Sequence, residues 1–347
     1  MKRITFIFIF SLIINQLIGQ DIHFSEFNLF PLQTNPGQTG LFSGEERIAL
    51  IYKNQWESFG APYKTYAISI DGKIKKKKWK NGCIGIGLFL FNDKAGTSEW
   101  KATQASASIS GMVILNKHQI MSGAIQGGYS YQNIGNTDLH WGNQYDGMNY
   151  NPSLEGEQIN RNSFGYADFS TGLAWYYMKS ASTLSSNDNI WFNAGIGFLH
   201  GNHPNIEFQN VTDEKFKSKL ILTACGHIGL ENTNFGLRPN LFYAHQGNFN
   251  EINIGLMFRY MVKEESKYTG FIKASAFSFG SYYRYRDAII PAVFLEYDKY
   301  ALGISYDITL SKLTSANNGR GGIEVFLQFT NPSPFRKAGI INCPVFQ

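Results

Sequence analysis

Along most of the chain, apolar and polar residues alternate with a period of two. Ile84, Ile86, Leu88 and Leu90 interleave with Cys83, Gly85, Gly87 and Phe89. The same rhythm returns where Ile252, Ile254, Leu256 and Phe258 interleave with Glu251, Asn253, Gly255 and Met257. Leu302, Ile304, Tyr306 and Ile308 alternate with Gly303, Ser305, Asp307 and Thr309, and Tyr66, Ile68 and Ile70 with Thr65, Ala67 and Ser69. This period predicts strands, not helices. A slip of one residue would turn every apolar side chain to the wrong face, so the register is well specified. The second face is rich in Gly, Ala and Ser. That composition suits a barrel lumen better than a sandwich, whose two inner faces are both apolar.

The pattern predicts strands at 46–57, 62–74, 82–92, 99–114, 118–133, 163–179, 188–201, 216–230, 236–246, 249–263, 268–279, 285–297, 299–312 and 321–330. The even count, about 14, is what a bacterial single-chain barrel needs. Most segments reach the roughly 9–11 residues that cross a bilayer obliquely. The expected fold is all-β, a transmembrane antiparallel up-and-down β-barrel of outer-membrane type. If the first strand runs outward, the odd connections are extracellular and include the longest ones, 134–162, 202–215 and 313–320. Tight candidates at Asn116-Lys117, Asn232 to Asn234 and Asp298-Lys299 then fall on the periplasmic side.

The N-terminus sets the compartment. Lys2 and Arg3 precede an apolar run from Ile4 to Ile14, and Gly19 is small enough for the −1 position of a cleavage site. Residues 1–19 are therefore expected to be a cleaved signal peptide, with outer-membrane localisation. Residues 20–45 are expected to form a periplasmic or plug segment, 46–330 the barrel, and 331–347 a C-terminal periplasmic tail. The N-terminal segment carries Phe24, Phe27, Leu29, Phe30 and Pro31, too aromatic to float in solvent.

Composition agrees. The chain is 15% aromatic and only 16% charged, which excludes a disordered protein. A formal charge of +5, two of it in the leader, is too small for a nucleic-acid partner. Cys83, Cys225 and Cys343 match no zinc or redox spacing, and an odd number cannot pair fully within one chain. They read as two small strand residues and a tail thiol. His200 and His203 beside Pro204 make a poor metal site, and neither a G-x-S-x-G elbow nor a P-loop occurs. No enzymatic activity and no cofactor are expected; the partners expected on these grounds include outer-membrane lipid.

A set of strings in fixed order carries a family resemblance. The chain has QDIHFSEFNLFPLQTNPGQTG from Gln20 to Gly40 and YKNQW at 52–56. WGNQYDG at 141–147, HPN at 203–205, HQGNFNEINIGL at 245–256 and RDAIIP at 286–291 follow. SYDITLSKLTSANNGRGGIEV at 305–325 and CPVF at 343–346 complete it. Together these resemble the PorP/SprF family of the Bacteroidetes type IX secretion system, over essentially the whole chain after the leader. The resemblance implies a 14-stranded outer-membrane barrel without catalysis. It also implies a role in secretion or surface attachment of a specific large cargo, such as a gliding-motility adhesin, and contact with periplasmic ring or motor components. A passive porin-like channel is the alternative.

Three places are candidates for partner binding. Lys75, Lys76, Lys77 and Lys78, with Trp79 and Lys80, form a basic cluster suited to an acidic periplasmic partner or to anionic headgroups, or a solvated hairpin tip. Trp141, Tyr145 and Asp146 stand in the longest loop, where aromatic anchors are typical of interfaces. Arg320 follows Asn317-Asn318-Gly319, a loop expected either to fold into the mouth, with Arg320 meeting Glu324 or Asp307, or simply to close the hairpin.

Overall fold

The computed structural model describes residues 22–57, 62–74, 81–135, 139–157, 162–179, 189–206, 215–263 and 273–331. Fourteen strands form one closed antiparallel barrel in which β1 meets β14. They are β1 (Glu46–Gln55), β2 (Tyr63–Ile74), β3 (Gly82–Ala95), β4 (Trp100–Asn116), β5 (Gln119–Ile134), β6 (Ser163–Lys179) and β7 (Ile190–Leu199). The second half holds β8 (Lys219–Gly229), β9 (Phe235–Gln246), β10 (Phe249–Lys263), β11 (Ser275–Arg284), β12 (Ala288–Tyr297), β13 (Tyr300–Thr309) and β14 (Arg320–Asn331).

The alternation sorts as its chemistry dictates. Ile86, Leu88, Leu90, Ile254, Leu256 and Ile304 are exposed on the outer wall, where lipid would cover them. Gly85, Gly87, Ser106, Ser108, Ser110, Asn253 and Ser305 face the lumen. Closure removes every free sheet edge along the paired length, the condition for a sheet to cross hydrocarbon.

Thirteen of the strands lie close to their predicted spans; β11 is displaced. The predicted spans leave 280–284 as the connection, but the hairpin turns at 285–287, with Arg286 at φ 59°. Gly280 sits mid-strand instead, where a Cβ would overlap the Leu256 carbonyl. The glycine marks a close approach of backbones, not a turn. Connection length also alternates less cleanly than expected, because tight turns at 247–248 and 285–287 share one end with the long loops. That end, carrying 135–162, 200–218 and 310–319, is the long-loop end. At the other, the terminal end, β1 begins opposite the last residue of β14.

Residues 22–45 occupy the lumen. They descend from the long-loop end through a one-turn helix (Pro31–Thr34) and a 3-10 turn (Pro36–Gln38), then reverse into β1 at the terminal end. Each of the three hydrophobic clusters contains a residue of this plug. Phe27 packs on Phe242, Tyr282 and Phe294; Phe24, Phe30 and Leu32 on Phe89, Phe91 and Phe326; and Leu41 on Met112, Ile120 and Tyr176. The core therefore forms between plug and wall. Burying each of these side chains contributes about 1.5–3 kcal/mol.

Cys83 is disulfide-bonded and Cys225 is a free thiol. The expectation of a simple strand residue thus holds for Cys225 and fails for Cys83, because three cysteines still permit one bond. Cys343, the expected signal segment at 1–19, the tail after 331 and the lysine cluster of Lys75 to Lys78 lie outside the described residues.

Candidate functional site

Two features set what the barrel can do: how the plug is fixed, and what the long-loop end presents. At that end the plug meets a buried ionic cluster. Lys53 on β1 and Glu324 on β14 are directly opposite across the closing seam and form an ion pair at 2.9 Å. Both are almost fully buried, so each depends on its partner and on further hydrogen bonds. The plug supplies those bonds. The Ser25 N–H donates to both Glu324 oxygens at 3.0 Å, and Lys53 Nζ donates to the His23 carbonyl at 2.8 Å. Next to them Arg284 bridges Asp307 at 2.5 Å and Asp287 at 2.6 Å, and the Ser25 hydroxyl donates to Asp307 at 2.8 Å.

Mid-lumen, the plug is held by shape. Asn35 accepts the Gly37 N–H at 2.8 Å and donates to the Leu173 carbonyl of β6 at 2.9 Å. A Cβ on Gly172 or Gly195 would overlap the Asn35 side chain, and one on Gly197 the Thr34 carbonyl. Nearer the terminal end, Ser110 donates to the Thr39 carbonyl at 2.7 Å, and Thr39 shares a hydrogen bond with Ser108 at 2.8 Å. Gly40, at φ 70°, turns the chain so that its N–H meets Asp71 at 2.8 Å. Arg47 grips the same carboxylate in bidentate fashion, at 2.9 and 2.8 Å.

Outside the lumen, residues 139–157 form a self-supporting loop. The Trp141 N–H donates to Gln144 Oε1 at 3.0 Å, and Gln144 Nε2 reaches the Leu154 carbonyl at 3.1 Å. Tyr145 and Tyr150 bridge as a miniature hairpin, with the His140 ring 4.1 Å from that of Tyr150. Asp146 accepts the Met148 and Asn149 N–H groups at 2.9 and 2.8 Å. Those two bonds hold its carboxyl below the ordinary aspartate range. Tyr145 is 59% exposed and Met148 85% exposed at the tip.

Of the predicted residues, then, Tyr145 exposes its side chain at the surface, Asp146 ties the turn, and Trp141 is half-buried over Gly156. Arg320 does not meet Glu324 or Asp307, because Lys53 and Arg284 occupy those carboxylates; it is exposed at the start of β14. Its loop closes the hairpin through buried Asn317, which donates to Thr309 Oγ1 at 3.0 Å and accepts the Gly319 N–H at 2.9 Å. His200 pairs with Asp168 at 3.0 Å. The plug anchors escaped the sequence reading. Their one visible trace is charge at inward positions of otherwise apolar strands: Arg47, Lys53, Asp71, Arg284, Asp307 and Glu324.

Among solved structures, the chain is similar to the TodX deltaS2S3 mutant monoaromatic hydrocarbon channel, at 10% identity and a TM-score of 0.48, over 86% of this chain and 93% of that one. It is also similar to the CymD monoaromatic hydrocarbon channel, at 8% identity and a TM-score of 0.44, over 90% and 95%. BamA from Haemophilus ducreyi lacking POTRA domains 1-3 aligns at 10% identity and a TM-score of 0.43, over 83% and 70%. No curated protein matches. The profile of the type IX secretion system membrane protein PorP/SprF matches residues 17–329, and with the closed 14-strand outer-membrane-type barrel this places the chain in the PorP/SprF family.

Proposed function

We propose that this barrel is a binding and tethering component of the type IX secretion system. It holds one large exported protein or adhesin at the long-loop end, which faces outward, and contacts periplasmic secretion components at the terminal end. The mature chain begins near Gln20, after signal cleavage. The observation that carries this reading is the plug: residues 22–45 fill the lumen from one end to the other and build its core. A barrel filled in this way works through its surfaces. The pre-folded loop at 139–157, with Tyr145 and Met148 at its tip, supplies an aromatic and flexible apolar contact of the kind that anchors protein interfaces.

Deleting the gene and comparing surface and periplasmic proteomes tests the proposal. One large protein should vanish from the surface and accumulate in the periplasm, and the tagged barrel should copurify with periplasmic ring components. Unchanged proteomes would overturn it. The porin-like alternative requires the plug to leave, and steady single-channel conductance of the purified barrel would favour it.

A further inference from the structure

The barrel wall is uneven at the long-loop end. β6 has 17 residues and its neighbour β7 has 10. Pairing between them stops at Thr171 with Phe198, so the first eight residues of β6 rise past the end of β7. On its other side β6 stays paired with β5 up to Asn133 and Ser163. The Ile134 N–H donates to the Asn162 carbonyl at 2.9 Å, so even-numbered residues here turn their backbone groups toward β5. Odd-numbered residues turn theirs toward the side that β7 has vacated.

The chain after β7 covers only the beginning of that edge. The Gly201 N–H donates to the Phe169 carbonyl at 2.8 Å. Asn202 then imitates a strand with its side chain: Oδ1 accepts the Phe169 N–H at 3.1 Å, and Nδ2 donates to the Ala167 carbonyl at 2.7 Å. Beyond Asn202, the Ala167 N–H and both backbone groups of Gly165 and Ser163 have no partner among the described residues. A cleft of about 310 Å3 opens at this point, lined by Phe164 to Ala167 and by Asn202, Pro204 and Asn205.

The level of this edge matters. In the register of β5, Ala167 is opposite Tyr129 and Gly165 opposite Tyr131, both exposed on the outer wall. Tyrosines of this kind mark the membrane–water interface. The apolar outer positions of β6, Phe169, Leu173 and Trp175, lie below. Unpaired backbone groups are costly in hydrocarbon, but here they lie at the rim.

We propose that this stretch of β6, residues 163–167, is a strand-addition site that receives an extended segment of the exported protein. The proposal rests on the tethering function and specifies its contact. Donors and acceptors repeat along the edge every second residue, a pattern matched by an extended backbone. Among the described residues no charged side chain lines the cleft, so it selects main chain over an acidic or basic motif. In the sequence the 139–157 loop precedes this edge.

The test uses the full-length barrel in its own cells, with the protein stranded by gene deletion as the probe. Ala167→Pro and Ser163→Pro each remove an N–H that faces the open edge and leave the β5 ladder intact. Each should lower surface delivery of that protein about tenfold, the equivalent of one or two backbone hydrogen bonds. Ala167→Val keeps the N–H and should deliver normally, and heat-modifiable migration on gels checks that each barrel folds. A photo-crosslinking residue replacing Asn205 should form an adduct with the stranded protein, a readout that does not depend on the proline variants folding. Folded proline variants with normal delivery would overturn the strand-addition site. So would an adduct to a second copy of the barrel, or no adduct at all. If gene deletion strands no protein, the tethering function itself fails, a distinct outcome.

Discussion

The plug meets the wall in two different ways. Around Ser25 the wall brings its own charges, Lys53, Glu324, Arg284 and Asp307, and the plug completes their hydrogen bonds. Around Asn35 the wall brings almost nothing, since Gly172, Gly195 and Gly197 leave space that the plug's side chain and backbone fill. The first contact is electrostatic and depends on completeness. The second is steric and depends on vacancy. One can be removed as a matched set at little cost; the other cannot tolerate a single added methyl group.

Four measurements break or sharpen this contrast, beginning with the largest effect. Glu324→Met leaves the Lys53 ammonium buried against a single carbonyl, and should destabilise the folded barrel by about 3–5 kcal/mol in urea titrations in lipid. The double variant Lys53→Met/Glu324→Met should recover most of that loss, and a double-mutant cycle showing no coupling would refute the electrostatic reading. Gly172→Val should cost about 1–3 kcal/mol by overpacking. It should also raise the labelling of a cysteine placed at Thr39 by a hydrophilic maleimide, as the plug is displaced. Gly111, with nothing within 4 Å of its would-be Cβ, is the matched control and should accept Ala without effect.

Asn35→Ala removes both a turn cap and the bond to the Leu173 carbonyl, and should cost about 0.5–2 kcal/mol. A loss no larger than that of an exposed Asn143→Ala would argue that shape alone fixes the mid-lumen contact. The smallest effect is outside the lumen. The Asp146 carboxyl is held below its ordinary value of 3.8 in the folded loop, so its contribution is complete above that value and is lost as pH falls through the depressed one. Amide exchange at Met148 and Asn149, corrected for intrinsic rate, should accelerate only in that acid range. Asp146→Asn should remove the transition while leaving the plug contacts unchanged.

Much of this was legible in the residue pattern. The lipid face of nearly every strand could be read from alternation alone, because period two is a local property. β11 was misplaced because Gly280 does not interrupt it, and Tyr285-Arg286-Asp287 carries no glycine to announce the real turn. Whether residues 20–45 entered the lumen was not legible. That depends on glycines of β6 and β7 and serines of β4 converging on one segment, a juxtaposition that exists only after closure. Of the two readings of the Arg320 loop, hairpin closure is the one realised, because both candidate carboxylates are matched by Lys53 and Arg284. The short stature of β7 beside β6 was hidden too, because each strand has an ordinary length on its own.

The position of Lys53 and Glu324 has a consequence for biogenesis. They are the meeting point of the first and last strands, the final seam to be zipped, and their remaining hydrogen-bonding capacity is met by Ser25 and His23. A barrel that closed without its N-terminal segment inside would seal two under-solvated charges into the joint. Seam closure and plug insertion are therefore coupled thermodynamically: sealing the ring around an empty lumen carries the cost of two under-solvated charges, and the plug removes it.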